Sequence, residues 1–300
     1  MYLQHFGIKE LPFSITPDTS FFFNSTSSRE ALNTLLIAAR TGEGFIKITG
    51  EVGTGKTVLC RQLIANLKSE FKVAYIPNPY LEPRALFLEL AAELEAPILD
   101  EHLDQHQLLK ALTTKLVEII RAGQQVVICL DEAQAMPIET LEALRLLTNL
   151  ETEKRKLLQV IIFGQPELEV KLDHPSIRQL KQRIAFDYRL TPLSRDELEY
   201  YVHPRLVVAG YQGSRLFSPM ALWMLGFRTR RVPRLVNILA HKSMLAAFGK
   251  GKKIVSLREV LIAAKDTTSL RFSHRFARSS IVLSLLVGAS IAGLGWAYLK

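Results

Sequence analysis

The 300-residue chain has few cysteines, no repeats and few acidic residues in its second half, and these shortages narrow its chemistry. Its two cysteines, Cys60 and Cys129, sit inside apolar runs and far apart in sequence. That excludes a disulfide framework or a thiolate metal knot and leaves two reduced core thiols. No internal repeat or low-complexity tract marks a solenoid or a disordered tail. The opening Met1 to Phe13 mixes charges, His5 and Pro12 with no sustained apolar stretch, so no secretory leader is expected there. A strand signal is missing after Leu193. Acidic residues are scarce in residues 151–300, which hold 25 Lys+Arg against 11 Asp+Glu, whereas residues 1–150 hold 13 against 18. A basic half suits phosphates, nucleic acid or an anionic membrane surface.

Long apolar runs are also rare, with one exception. Ile281 to Leu299 is a charge-free run of nineteen residues, with Arg271, His274, Arg275 and Arg278 before it and Lys300 after it. About 20 apolar residues span a bilayer core. Trp296 and Tyr298 suit its interface, and the arginines on the near side predict a single-pass anchor with the bulk of the chain cytoplasmic. Residues 266–280 form a basic juxtamembrane linker before it.

With 48% hydrophobic residues the remainder has ample material for an α/β domain and a smaller companion. The aromatic and proline-rich opening FGIKELPFSITPDTSFFF predicts a strap rather than a regular helix. A helix over Ser28 to Arg40 follows, then strands at 45–49, 73–76, 126–130, 157–163 and 184–190. Helices begin at Thr57, Pro83, residue 105 and Pro137. Strands alternating with helices predict a five-stranded, doubly wound parallel sheet over residues 1–193, strap included. Residues 194–265 carry only helical periodicity and form a lid.

Within that sheet one segment carries specific chemistry. Gly50, Glu51, Val52, Gly53, Thr54, Gly55, Lys56 and Thr57, with Val58 next, fit the pattern GxxxxGK[ST] between a strand and a helix. Glycines let successive N–H groups face a triphosphate, Lys56 meets the β- and γ-phosphates, and the Thr57 hydroxyl coordinates Mg²⁺. Asp131, at the tip of VVICL, is placed to hold that ion, and Glu132 to activate the attacking water. Gln165 ends another strand within reach of a γ-phosphate. Arg178 and Arg183 precede the last strand, where a neighbouring subunit could receive a guanidinium. Arg234 opens a lid helix after Pro233 and is placed to return to the nucleotide.

FGIKELPFSITPD, GEGFIKITGEVGTGKT, LDEAQ, FGQPEL and VPRLVN together resemble the ExeA/GspA family of AAA+ ATPases over residues 1 to about 265. Within it the chain looks most like the branch serving mannose-sensitive haemagglutinin pilus biogenesis. The resemblance implies ATP and Mg²⁺ as cofactors, Asp131 and Glu132 as the Walker B acids, Arg234 as a second sensor and ATP-dependent homo-oligomers. It further implies inner-membrane partners in pilus or secretin assembly. Two departures accompany it: Arg231 stands where the family often has glycine, and the sequence ends at Lys300 without the periplasmic peptidoglycan-binding domain of ExeA-like proteins. A different class, a DNA-binding AAA+ regulator resembling the transposition proteins MuB and TniB, shares the core and suits the basic half.

Overall fold

Five short runs rich in Val, Ile, Phe and Leu make the strands, and their residues alternate between two cores. In a computed structural model, residues 2–14, 23, 25–67, 70–97, 103–151 and 156–268 are described. The anchor expected at 281–299, and the linker 266–280 beyond residue 268, lie outside them. Among the described residues no helix is long and apolar enough to cross a membrane.

In chain order the elements begin with a short helix α1 (Tyr2–Phe6) and α2 (Thr26–Thr41), then β1 (Phe45–Gly50), α3 (Lys56–Asn66) and β2 (Phe71–Ile76). Next come α4 (Pro83–Glu93), α5 (Gln105–Arg121), β3 (Gln125–Leu130), a 3₁₀ turn Ala133–Ala135, α6 (Ile138–Thr148) and β4 (Gln159–Gly164). After α7 (Glu167–Leu172), a 3₁₀ turn Pro175–Ile177, α8 (Arg178–Lys181) and β5 (Phe186–Leu190), four helices close the described chain: α9 (Arg195–Val208), α10 (Pro219–Thr229), α11 (Pro233–Phe248) and α12 (Leu257–Asp266). All strand pairs are parallel, in the order β2-β3-β4-β1-β5.

Because successive strand side chains point to opposite faces, Val126, Ile128, Leu130, Val160 and Ile162 enter one core with α4, α5 and α6. Val127, Cys129, Ile161, Phe163, Ile46 and Ile48 enter the other with α2 and α3. Both faces being covered explains why β1 and β4 are buried at every residue. Each fully buried Leu, Ile or Phe contributes about 1.5–3 kcal/mol relative to exposure. The two cysteines, distant in sequence, meet in the second core. Both are buried free thiols, and the Cys129 side chain hydrogen-bonds Cys60 and, with burial, holds its thiol far above the usual range.

Among the described strand residues one charge, that of Lys47, is buried. Lys47 of β1 is 1% exposed, and its Nζ meets Glu169 Oε1 of α7 at 2.5 Å and Asp187 Oδ2 of β5 at 3.0 Å. A buried ammonium without partners would cost several kcal/mol. Two carboxylates therefore fix which elements flank β1 on that side.

The described residues of Thr16–Leu193 form one compact unit, and those of Met1–Ile15 with Ser194–Lys300 form another. The described residues 2–14 thus group with the helical unit rather than the sheet, whereas the strap FGIKELPFSITPDTSFFF was expected with residues 1–193. This segment opens with the helix α1, which ends at Phe6, where that strap begins. The reason is its aromatic residues: the Tyr2 ring lies 5.6 Å from His241 and 6.5 Å from Phe248, and Phe13 lies 6.0 Å from Phe217. Backbone bonds follow, Lys9 N–H to Ala209 O at 2.7 Å, and Asn237 Nδ2 donates to Ser14 O at 3.0 Å.

Within the helical unit Glu259 caps α12. Its Oε2 accepts from the Ser256 N–H at 3.1 Å and the Ser256 hydroxyl at 2.5 Å, while Oε1 accepts from Lys252 at 2.9 Å and Lys250 at 3.2 Å. Burial pushes its carboxyl up, but the hydroxyl, the two ammonium groups and the N–H outweigh it and pull the pKa from 4.5 to about 2. A depressed acid stabilises the fold above its unfolded pKa and loses that contribution as pH falls through the folded value. The window here runs from about pH 4.5 down to about pH 2. Glu259→Gln should cost about 2 kcal/mol at neutral pH and narrow the stability gap between wild type and variant toward pH 2. Urea unfolding at pH 7 and pH 3 measures this, and an equal gap at both would contradict it.

Candidate nucleotide site

The carboxyl ends of β1, β4 and β3 lie side by side, so the loops that follow them share one edge of the sheet. In open parallel sheets this edge is where ligands bind. The loop after β1 runs from Gly50 to Gly55. Gly53 and Gly55 hold φ of 85° and 102°, which other residues rarely adopt. Gly50 is required for a different reason, since a Cβ there would lie 2.7 Å from Thr54 Oγ1 and 3.0 Å from Leu190 Cβ. The Thr54 hydroxyl in turn donates to Glu51 O at 2.9 Å.

Helix α3 starts at once, with Gly55 as its N-cap and no side-chain cap. Its first N–H groups have no intrahelical partners and carry the positive end of the helix dipole. Lys56, only 5% exposed, donates from Nζ to Gly50 O at 2.8 Å and Glu51 O at 3.2 Å. Burial lowers its pKa, although Glu132, Asp131, Glu51 and Glu167 pull it the other way. An ammonium so poorly hydrated is primed to exchange carbonyl partners for anionic oxygens.

Across the edge, Asp131 continues the β2–β3 pairing through its N–H to Ile76 O at 3.0 Å. Its side chain is buried, 2% exposed. Burial raises its pKa, opposed by the Thr57 hydroxyl and the Glu132 N–H, the latter donating to Oδ1 at 2.9 Å. A raised acid is one whose charged form the surroundings satisfy incompletely. Thr57 and Asp131, one from each side of the site, are therefore already hydrogen-bonded to each other. That donor set fits Mg²⁺, which takes one or two protein oxygens and keeps its waters. Among the described residues no cluster of three or more His, Cys, Asp or Glu side chains suits a metal that demands more protein ligands.

Glu132 takes left-handed backbone angles, φ 53° and ψ 38°, as it enters the 3₁₀ turn. Gln165 Nε2, from the end of β4, donates to Glu132 Oε2 at 3.0 Å, and Gln134 Nε2 donates to the same oxygen. The Gln165 N–H donates to Gln134 Oε1 at 2.9 Å. Gln165 thus sits beside the acid pair because β4 lies between β1 and β3. Gln134 was visible in sequence only as a letter of LDEAQ. Its part depends on strand order, which no local spacing reveals.

The candidate arginines come from separate segments. Arg183 is half-buried and its Nη1 donates to Thr148 Oγ1 at the end of α6, at 2.9 Å. Arg178 is exposed at the start of α8. Arg234 is exposed in the first turn of α11, in the other compact unit. Arg231, the departure noted above, has φ of 60°, following Arg230 at 50°. Left-handed angles at two successive positions explain why glycine would suit position 231.

A parallel five-stranded sheet with this glycine loop and acid pair at its carboxyl edge defines an AAA+ P-loop NTPase fold, and residues 39–172 match the family model described as AAA domain. Over 296 residues the chain is 39% identical to the General secretion pathway protein A of Aeromonas hydrophila, a match covering 99% of this chain. The chain spans about half of that protein's length, 53%. Among solved structures, Cdc6p of Pyrobaculum aerophilum aligns with a TM-score of 0.63 at 21% identity, covering 83% of this chain and 71% of that one. The ORC2 protein of Aeropyrum pernix, in ADPNP-ADP complexes, aligns with 0.59 at 17% identity, covering 93% and 80%. The RuvB branch-migration motor of Thermotoga maritima gives 0.52 at 15%, covering 85% and 73%. At such identities the shared feature is the fold.

Replacing Lys56 by Ala should weaken binding of a fluorescent ATP analogue by at least ~100-fold, about 2.7 kcal/mol, while thermal stability shifts by less than about 1 kcal/mol. Unchanged affinity would remove Lys56 from the phosphate site.

Proposed function

We propose that the chain is an ATPase that binds Mg-ATP in the loop from Gly50 to Val58 and uses hydrolysis to drive assembly of a secretion or pilus apparatus. The juxtaposition of Lys56, Thr57, Asp131 and Glu132 on one sheet edge is the observation that carries the chemical half of this reading. Gly50, Glu51, Val52, Gly53, Thr54 and Gly55 would supply backbone N–H groups to the phosphates, and Lys56 the compensating charge. Thr57 and Asp131 would hold Mg²⁺, which supplies Lewis-acid polarisation when bound. Glu132 accepts the proton of the attacking water, and Gln165 orients that water or the γ-phosphate.

Arg234, from the helical unit, is assigned to sensing the nucleotide. Arg178 and Arg183 are assigned to contacts between subunits of a homo-oligomer, Arg178 being the better placed because it is exposed. The cellular role rests on the General secretion pathway protein A likeness. A membrane anchor through the apolar run 281–299 is the expectation from the sequence, and work at the bacterial inner membrane, for a pilus rather than a secretin, comes from the resemblance alone. The basic second half, +14 by formal charge over residues 151–300, keeps DNA binding as the second reading. Retention on DNA at physiological salt would favour it.

Glu132→Gln should retain ATP-analogue affinity within about threefold and lose turnover by ~10²-fold or more. Steady-state phosphate release and analogue titration measure the two separately. Wild-type turnover in the variant would strip Glu132 of its role. After nuclease treatment the full chain should sediment with membranes and resist carbonate extraction, whereas recovery in the soluble fraction would end the anchor.

A further inference from the structure

Gln134 has both ends of its amide engaged with the residues around the candidate nucleotide site. Its Nε2 donates to Glu132 Oε2, and its Oε1 accepts from the Gln165 N–H at 2.9 Å. The Gln165 side chain closes the ring by donating from Nε2 to the same carboxylate oxygen at 3.0 Å. One amide therefore links the acid after β3 to the polar residue after β4.

The turn that carries Gln134 is itself pinned. Ala133 and Met136 are fully buried, Ala135 N–H donates to Glu132 O at 2.8 Å, and Met136 N–H donates to Ala133 O at 3.2 Å. From α7, Lys171 Nζ donates to Met136 O at 2.7 Å. Glu132, meanwhile, stands at φ 53°, a left-handed backbone state that is strained for a residue with a Cβ. Interactions that hold it there are the amide donors on its carboxylate and the pinned turn after it.

We propose that Gln134 is a positioning residue for ATP hydrolysis, fixing Glu132 and Gln165 relative to each other so that the attacking water meets both. This rests on the reading of Glu132 as the water-activating acid. Both donors engage Oε2, which leaves Oε1 to accept the water's proton. Loss of the Gln134 amide leaves Glu132 with a single donor and leaves the Gln165 N–H without its acceptor, so the pair no longer shares a common reference. Binding of ATP, which uses the loop after β1, does not involve Gln134. The effect should therefore fall on kcat and leave KM unchanged, because misplacement of a catalytic group by about 1 Å costs up to ~10²-fold in rate.

The test uses the full chain in detergent, with Gln134→Met as the near-isosteric variant that removes both hydrogen-bonding ends, and Gln134→Glu as one that keeps the acceptor and loses the donor. Both should lower kcat by 10- to 100-fold while KM and ATP-analogue affinity stay within about threefold. Gln134→Met added to Glu132→Gln should lower turnover no further, since the two residues act as one unit. A kcat within twofold of wild type in Gln134→Met, or a loss that multiplies with that of Glu132→Gln, would overturn the proposal while leaving the ATPase reading intact. Wild-type turnover in Glu132→Gln alone would instead remove the reading on which it rests. If Gln134→Met melts well below wild type, Gln134→Glu decides by the same kcat and KM criteria.

Discussion

A lysine ammonium and an aspartate carboxylate are both taken out of water at the same end of one parallel sheet, and the rest of the site is arranged around that cost. Lys56 is 5% exposed and Asp131 2%, and burial moves the two groups in opposite directions, the amine down and the acid up. Neither ion is satisfied by the other through a direct ion pair. Lys56 instead rests on two loop carbonyls and Asp131 on a hydroxyl and an N–H. Such an arrangement is stable enough to fold and favours the arrival of a polyanion with its cation, which satisfies both groups at once.

The sheet makes this geometry obligatory. With β4 seated between β3 and β1, Thr49 beside Gly164 and Leu130 beside Ile162, three loops leave the same edge of the sheet. Gly50 cannot carry a side chain because Thr54 and Leu190 fill its space. Lys47, paired with Glu169 and Asp187, ties β1 to α7 and β5. Core packing on both faces supplies the rigidity that lets hydrogen bonds of about 3 Å define positions for chemistry.

Much of this was legible in the residues. Five apolar runs bounded by turn residues foretold the strands, and GEVGTGKT foretold the loop, because glycine, lysine and threonine spacing is dictated by the phosphate chain itself. The position of Asp131 and Glu132 at a strand tip was legible because the apolar run VVICL ends directly before them. What escaped notice depends on three-dimensional adjacency. Gln134 bridges to Gln165 only because the strands are ordered 3-4-1 at that point, and Cys60 meets Cys129 only because α3 packs on the face that β3 shares. Residues 2–6 form a helix despite the nearby prolines, since Pro12 lies beyond it and Tyr2 and His5 find a surface on α11. The arginines remained least legible, as exposed guanidinium groups gain meaning only from partners that a single chain does not contain.

The most direct measurement is a crystal structure of the chain with a non-hydrolysable ATP analogue and Mg²⁺. Lys56 Nζ should then have left the Gly50 and Glu51 carbonyls for the β- and γ-phosphate oxygens, with Mg²⁺ inserted between the Thr57 hydroxyl and the Asp131 carboxylate. An analogue bound elsewhere, with Lys56 still on those two carbonyls and Thr57 still bonded to Asp131, would contradict the account.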